Sequence, residues 1–332
     1  MNNLLYSIID INSLPGGPKT RISSFKNVFE KKGDTIIIGK NKIRKSLRAK
    51  NINIIYVESA TNRIRAIDFI CLFILKLKSK KTIVFIRDIY IELFPNHYKG
   101  IRGSISKISN KISNLYLTLI SSKMVFPTIA MGEIFFQRNK LFPRKEFTDL
   151  PPGTIKNKIR RRLPDFDKKL GVLYLGSTRY KNSGFNYFLD FADKYHNEYD
   201  FHILSKDNLS FISNKLRISY CEREDISKYI EDNNIAYAVH TRPRNQYDDI
   251  TFPIKILDFI SLELPFFTER HIPIINMMGT DYKLYVDYNN IDNLNFIISN
   301  ISMIEYNIIA DFLHSISSNN TYDIRYNKLI KL

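Results

Sequence analysis

Ile250-Thr251-Phe252-Pro253-Ile254-Lys255-Ile256-Leu257-Asp258-Phe259-Ile260-Ser261-Leu262-Glu263-Leu264-Pro265 is the stretch that decides how this chain folds. Pro253 fits the first position of a helix, where a missing N–H costs no intrahelical bond. Apolar residues at three- and four-residue spacing then carry a helix over 253–263, and Pro265 ends it and opens a strand. The backbone around Thr251, Phe252, Pro253 and Ile254 offers the free amides of a helix N-terminus to an anion such as a phosphate. Asp258, over a turn later, can accept hydrogen bonds from the two hydroxyls of a ribose.

The rest of the second half of the chain repeats this alternation of strand and helix. Strands are predicted over 172–175, 201–204, 216–220, 235–239 and 266–268, with a weaker one over 284–286; helices are predicted over 185–195, 226–232, 291–301 and 304–315. The half opens with Gly171-Val172-Leu173-Tyr174-Leu175-Gly176-Ser177-Thr178-Arg179-Tyr180-Lys181-Asn182-Ser183-Gly184. A strand, a glycine turn, two cations at Arg179 and Lys181, and a helix N-terminus together suit a bound phosphate, because side-chain charge and helix dipole act on the same anion.

The first half has the same rhythm, with strands predicted over 4–9, 35–38, 52–57, 82–86 and 123–126 and helices over 20–31, 61–77, 101–121 and 130–138. After its first strand, Gly16 and Gly17 permit close backbone approach to a ligand, although the loop is neither a dinucleotide fingerprint nor a Walker motif. The fourth strand ends in Arg87-Asp88, a pair that either orients a sugar hydroxyl or forms a structural ion pair. Regularity lapses around 143–167, where Pro143, Pro151-Pro152-Gly153, Arg160-Arg161-Arg162 and Pro164 cluster. The junction therefore falls there, giving an N-terminal domain over 1–165 and a C-terminal domain over 166–332. The length of 332 residues, at roughly 150 per domain, agrees.

Charge divides at the same place. Residues 1–165 hold 32 Lys and Arg against 11 Asp and Glu, or +21, whereas residues 166–332 hold 18 against 22, or −4. A half at +21 implies an anionic partner: nucleic acid, an acidic lipid surface or a phosphorylated substrate. Cys71 and Cys221 match no metal-ligand spacing and make no disulfide framework, which suits a reducing cytosol. The N-terminus reads as a strand rather than a secretion leader, and the longest apolar run, Phe69 to Leu75, is too short to cross a bilayer.

The order of these motifs resembles the GT-B fold glycosyltransferases, specifically the family 4-like retaining group. It runs from the Gly-Gly loop through Arg-Asp after a middle strand and Gly-x-x-Arg-x-Lys, and ends with Pro-x-Lys-x-x-Asp and a proline seven residues on. The likeness covers nearly the whole chain. It implies an α/β fold of two Rossmann-like, doubly wound domains facing across a cleft, the first binding the acceptor and the second a nucleotide-diphosphate sugar. By resemblance Arg179 and Lys181 contact the donor diphosphate, Asp258 holds the ribose, Gly16, Gly17 and residues Thr251 to Ile254 belong to the donor site, and Arg87 and Asp88 orient the acceptor hydroxyl. If the enzyme inverts configuration instead, Asp88 is the candidate base. No metal and no cofactor beyond the donor is expected.

The chain departs from that family where a first acid is common: Ile250 stands there, flanked by Asp249, so Asp248 or Asp249 is the substitute. His97 is only loosely placed near the acceptor side. Asp165-Phe166-Asp167 satisfies a metal-binding D-x-D pattern but lies in the predicted linker, where a solvated turn is expected. Asn319-Asn320-Thr321 fits a glycosylation sequon but, without a secretion signal, is expected to carry no glycan.

The expected activity is sugar transfer to a glycan or lipid-linked acceptor in cell-surface polysaccharide or glycoconjugate synthesis. The expected location is cytoplasmic, with the basic half resting peripherally on anionic membrane through Phe69–Leu75 and Phe135-Phe136. An epimerase or phosphorylase on the same fold is the alternative. A nucleic-acid-binding protein ranks below both, for want of a recognised binding motif.

Overall fold

The computed structural model describes residues 2–11, 16–59, 63–155, 162–179, 182–207, 209, 216–219 and 225–332. Lys181, Cys221, Tyr180 and the Arg160-Arg161 pair lie outside the described residues.

The chain divides into two compact units: residues 1–153 with 250–252 and 322–332, and residues 154–249 with 253–321. The first contains β1 (Asn2–Ser7), α1 (Gly16–Lys31), β2 (Thr35–Ile37), α2 (Lys42–Arg48), β3 (Ile52–Glu58), α3 (Ala66–Leu77) and β4 (Ser79–Phe85). It continues with α4 (Tyr90–Leu93), a 3-10 turn (Pro95–His97), α5 (Gly100–Ile120), β5 (Lys123–Phe126), α6 (Ile129–Arg138) and β6 (Phe147–Asp149). The second contains β7 (Gly171–Leu175), α7 (Phe185–Tyr195), β8 (Asp200–Leu204), β9 (Leu216–Ser219), α8 (Ile226–Asp232), β10 (Ile235–His240), α9 (Ile254–Ser261), β11 (Phe266–Thr268), α10 (Ile272–Met278), α11 (Ile291–Asn300) and α12 (Met303–Asn319). The last helix, α13 (Tyr322–Ile330), belongs to the first unit.

Each unit is built on one parallel sheet, in the order β2-β1-β3-β4-β5-β6 in the first and β11-β10-β7-β8-β9 in the second. Because successive strand side chains point to opposite faces, the first sheet feeds two cores. Leu4, Tyr6, Ile55, Val57, Val84 and Phe126 face one layer with Leu72 and Leu75 of α3, Leu117 of α5 and Phe135 of α6. Leu5, Ile54, Tyr56, Ile83 and Phe85 face the other with Phe25 and Phe29 of α1 and Tyr322, Tyr326 and Leu329 of α13. Each such fully buried apolar side chain contributes about 1.5–3 kcal/mol.

Two buried ion pairs pin the first sheet. Arg21 Nε lies 2.9 Å from Glu58 Oε1, while its Nη atoms donate to Tyr56 Oη at 2.8 Å and the Leu150 carbonyl at 3.1 Å. Lys42 Nζ lies 2.6 Å from Asp68 Oδ1, which also accepts from Tyr6 Oη at 2.6 Å. A buried pair tolerates the loss of neither partner, because the remaining charge is left without solvation.

Several sequence expectations are corrected. Residues 40–50, for which no helix is expected, contain α2, whose Lys42 and Ser46 are buried. Phe147–Asp149, inside the expected linker, pairs with β5 as the edge strand β6. The strand expected at 284–286 is a single bridge between Tyr285 and Thr268. Pro253 is the N-cap of α9, with ψ 117°, and the helix begins at Ile254. Phe135, Phe136, Cys71, Leu72 and Leu75, expected to face lipid, are the core-facing residues of α6 and α3.

Candidate functional site

In open parallel sheets, ligands gather beyond the carboxyl ends of the strands, where loops converge on helix N-termini. In the second unit the residues leaving β7, β8, β10 and β11 build that rim.

The turn after β7 is shaped by what has to pass it. Gly176 has φ +111°, and a Cβ placed on it would stand 2.5 Å from Lys255 Cε and 2.8 Å from Lys255 Nζ. Lys255 therefore reaches from the first turn of α9 across the end of β7, with Nζ 4.9 Å from the centre of the Tyr174 ring. The following residues are clamped by Asp207, beyond β8. Its Oδ2 accepts the Thr178 N–H at 2.7 Å, the Ser177 hydroxyl at 2.8 Å and the Thr178 hydroxyl at 3.1 Å. These bonds, the Thr178 amide first, hold its carboxyl down at about 2. Arg179 is exposed, its Nε 3.7 Å from Asp207.

Gly184 caps α7 with φ +65°, and a Cβ there would stand 1.7 Å from the Thr241 carbonyl oxygen. Only glycine lets the helix start this close to the chain leaving β10. The contact is locked by the Thr241 hydroxyl, which donates to the Ser183 carbonyl at 3.0 Å.

Next in the chain, Arg242 pairs with buried Asp248 at 2.7 Å. Burial pushes the Asp248 carboxyl up, against the pull of Arg242. Arg244 grips Asp249 through Nε at 3.1 and 3.0 Å. Behind them, buried His240 and His271 meet edge to face at 5.6 Å, and His271 Nε2 lies 3.0 Å from the Arg242 carbonyl oxygen. Burial, with neighbouring cations for His240, holds both rings below the ordinary imidazole range, so they stay neutral near pH 7. Lys255 is drawn down to about 8 by burial and then by Arg242, with Asp207 pulling the other way. A lysine whose charge is disfavoured by burial and by a neighbouring guanidinium is prepared for a ligand carrying negative charge.

The other sequence candidates distribute as follows. Pro253 and Ile254 start α9, and Asp258 lies three residues beyond Lys255, hence on the same side of that helix. Thr251 and Phe252 group with the first unit, where the Ile250 carbonyl accepts from Thr128 Oγ1 at 2.6 Å. Gly16, with φ +64°, and Gly17 form the first turn of α1, and open space surrounds a Cβ on Gly16. Arg87 and Asp88 follow β4, paired at 3.6 Å. Asp88 Oδ1 is buried with no hydrogen-bond partner among the described residues. Burial pushes that carboxyl up to about 6, with Arg87 and the Tyr90 amide opposing and Glu92 adding to the rise. Glu92 is itself held by Asn114 at 2.9 Å. His97 is exposed and stacks on Phe94 at 5.3 Å. In the D-x-D decoy, Asp165 pairs with Lys168 at 2.9 Å and accepts the Asp167 N–H at 3.1 Å.

Sequence reasoning missed Lys255, Arg242 and Asp207 as site residues. Arg242 was findable, since Thr241-Arg242-Pro243-Arg244 follows a strand as Arg179 does. Asp207 carried no local signal.

No protein-family model matches the chain, and no curated protein matches it by sequence. Solved structures do share its fold. Anabaena Alr3699/HepE, in complex with UDP and glucose, aligns with a TM-score of 0.66 over 100% of both chains at 11% identity. Trehalose-6-phosphate synthase, a case of glycosyl transfer with retention, gives 0.58 over 92% of this chain and 82% of its own, at 9% identity. The GtfA/B complex gives 0.54 at 11% identity over 87% of this chain, which spans 59% of that longer one. The chain thus has the GT-B fold of glycosyltransferases, with one Rossmann-like sheet in each of its two units.

Proposed function

We propose that the protein is a glycosyltransferase that moves a sugar from a nucleotide-diphosphate donor to a glycan or lipid-linked acceptor in cell-surface polysaccharide or glycoconjugate synthesis. The observation that carries this reading is the Lys255 and Arg242 pair at the carboxyl end of the second sheet, beside a glycine that leaves room for the lysine stem. As the glycosidic bond breaks, negative charge builds on the departing diphosphate, and preorganised cations stabilise that state more than the ground state. Lys255, Arg242 and the first amides of α9 supply this charge, with Arg179 at the rim. Asp258 holds the ribose. Two fixed cations can do the work a divalent ion does elsewhere, so the reaction is read as metal-independent.

In the first unit, Arg87 and Asp88 orient the acceptor hydroxyl. Retention of configuration is supported by the fold shared with a retaining synthase. The test is product analysis with a panel of labelled nucleotide-sugars, with and without a chelator. Transfer to an acceptor with release of nucleoside diphosphate is expected, undiminished by the chelator. Conversion of the nucleotide-sugar without transfer would assign an epimerase instead.

A further inference from the structure

We propose that the face of the first unit formed by α2, α3 and α5 docks on an anionic lipid bilayer. The proposal stands on the arrangement of side chains there and goes beyond the transferase reading.

On α5, Ile101, Ile105, Ile108, Ile112 and Leu119 are each more than half exposed. At about 100° per residue they fall within roughly 60° of one another, a single apolar stripe. Such a stripe usually faces the core. Here the core-facing positions are Asn110, Ser113, Asn114, Leu117, Thr118 and Ile120, four of the six polar, so much of the helix's apolar surface points outward.

The stripe continues sideways. Ile67, Ile70, Phe73 and Leu77 of α3 and Ile43 and Leu47 of α2 are also exposed. The three helices pack in sequence: Tyr116 of α5 donates to the Phe69 carbonyl of α3 at 2.6 Å, and Lys78, at the end of α3, donates to the Ser46 carbonyl of α2 at 3.1 Å. Contiguous exposed apolar surface on this scale marks an interaction site.

Its charge names the partner. Arg44, Lys45 and Arg48 of α2 and Arg102 and Lys111 of α5 are exposed on these helices. Residues 35–57 and 99–123 contain no Asp or Glu at all. The single acid of α3, Asp68, is buried against Lys42 and Tyr6. An open groove of about 580 Å3 at α2 and α3 is lined by Ile43, Leu47 and Ile67 together with Arg44 and Arg48. Apolar residues interleaved with cations match acyl chains beneath anionic headgroups. A second copy of the same face would set cations against cations, and nucleic acid would leave the isoleucines unrewarded. Among the described residues no single helix is long and apolar enough to cross a membrane.

The experiment is co-sedimentation of the full chain with vesicles of phosphatidylcholine alone or containing phosphatidylglycerol, at about 0.1 M and about 0.5 M salt. Binding to the anionic vesicles is expected to exceed that to neutral ones by about tenfold or more and to weaken with salt. The double variant Ile105→Asp/Ile112→Asp is expected to lose binding by a similar factor while its melting temperature and its thermal shift with UDP stay as in the wild type. Equal recovery on neutral and anionic vesicles, or unchanged binding by the double variant, overturns the proposal. So does light scattering that shows a wild-type dimer made monomeric by the same substitutions. None of these readouts needs sugar transfer, so their failure is separate from failure of the transferase reading.

Discussion

Lys255 and Gly176 occupy space that only one of them can fill with a side chain: a Cβ on residue 176 would lie 2.5 Å from the lysine Cε. The glycine's φ of +111° adds a backbone conformation that other residues rarely adopt. Gly176→Ala is therefore expected to displace the ammonium from its place and to weaken binding of a nucleoside diphosphate by about tenfold. Lys255→Ala, which removes a charged donor, is expected to cost about 1.5–3 kcal/mol of binding, or roughly 10- to 150-fold. Isothermal titration with UDP and GDP checks both. Wild-type affinity in Lys255→Ala would take the cation out of the site.

The same lysine sets a pH dependence. With its ammonium drawn down to about 8 by burial and Arg242, Lys255 is protonated at neutral pH and loses its charge as pH rises through that value. Nucleoside diphosphate affinity is expected to hold from about pH 6 to 7 and to fall above about 8, approaching that of Lys255→Ala near pH 10. Bound anion stabilises the charged form, so binding near pH 8 takes up protons. Titrations in buffers of different ionisation enthalpy measure that uptake, and its absence in Lys255→Ala assigns it.

How far the sequence disclosed this arrangement follows from the range of each signal. Parallel strands announce themselves locally, because a strand buried on both faces is a short apolar run; β1, β7, β8 and β10 are such runs. α2 was hidden because Lys42 spends its charge on Asp68, 26 residues away, and reads in the sequence as part of a cationic run. Gly184 is legible as a turn, but its need to be glycine comes from the Thr241 carbonyl on another strand. Asp207 clamps the loop at Ser177 and Thr178 from beyond the neighbouring strand, a relation no spacing rule reaches. The apolar stripe of α5 was legible as a helical period, but its direction was not, since periodicity does not say which side is buried.

Asp88 gives a second titration, in the first unit. Burial pushes its carboxyl up to about 6, Arg87 opposing. As the acceptor-orienting group or the base it works as the carboxylate, so transfer rate is expected to rise as pH increases through about 6 and to hold until Lys255 loses its charge near 8. Asp88→Asn keeps the shape and removes the charge; a loss of about 100-fold or more in kcat, with the rise near pH 6 gone, is the expected result. A variant retaining both rate and profile would leave Arg87–Asp88 a structural ion pair.

The C-terminal helix closes the first unit at a distance of some three hundred residues in the chain. Tyr322 meets Phe25 edge-on at 5.2 Å, Tyr326 meets Phe29 at 4.9 Å, and Asn3 donates to Tyr326 Oη at 3.0 Å. Lys328 pairs with Asp149 at 2.8 Å at the end of β6. Without α13 the α1 side of the sheet would lose three buried side chains of its hydrophobic core, Tyr322, Tyr326 and Leu329. Tyr326→Ala is expected to destabilise the first unit by about 3–5 kcal/mol, the usual cost of emptying a buried aromatic site. Tyr326→Phe, which keeps the ring and loses the hydroxyl's bonds to Asn3 and Asp34, is expected to cost about 1 kcal/mol. Hydrogen exchange resolves where the loss falls: amides of β1, β3 and α1 should exchange faster in Tyr326→Ala while those of β7 and β10 keep their protection. Faster exchange across both sheets would mean that the helix supports the whole chain rather than the unit it packs in.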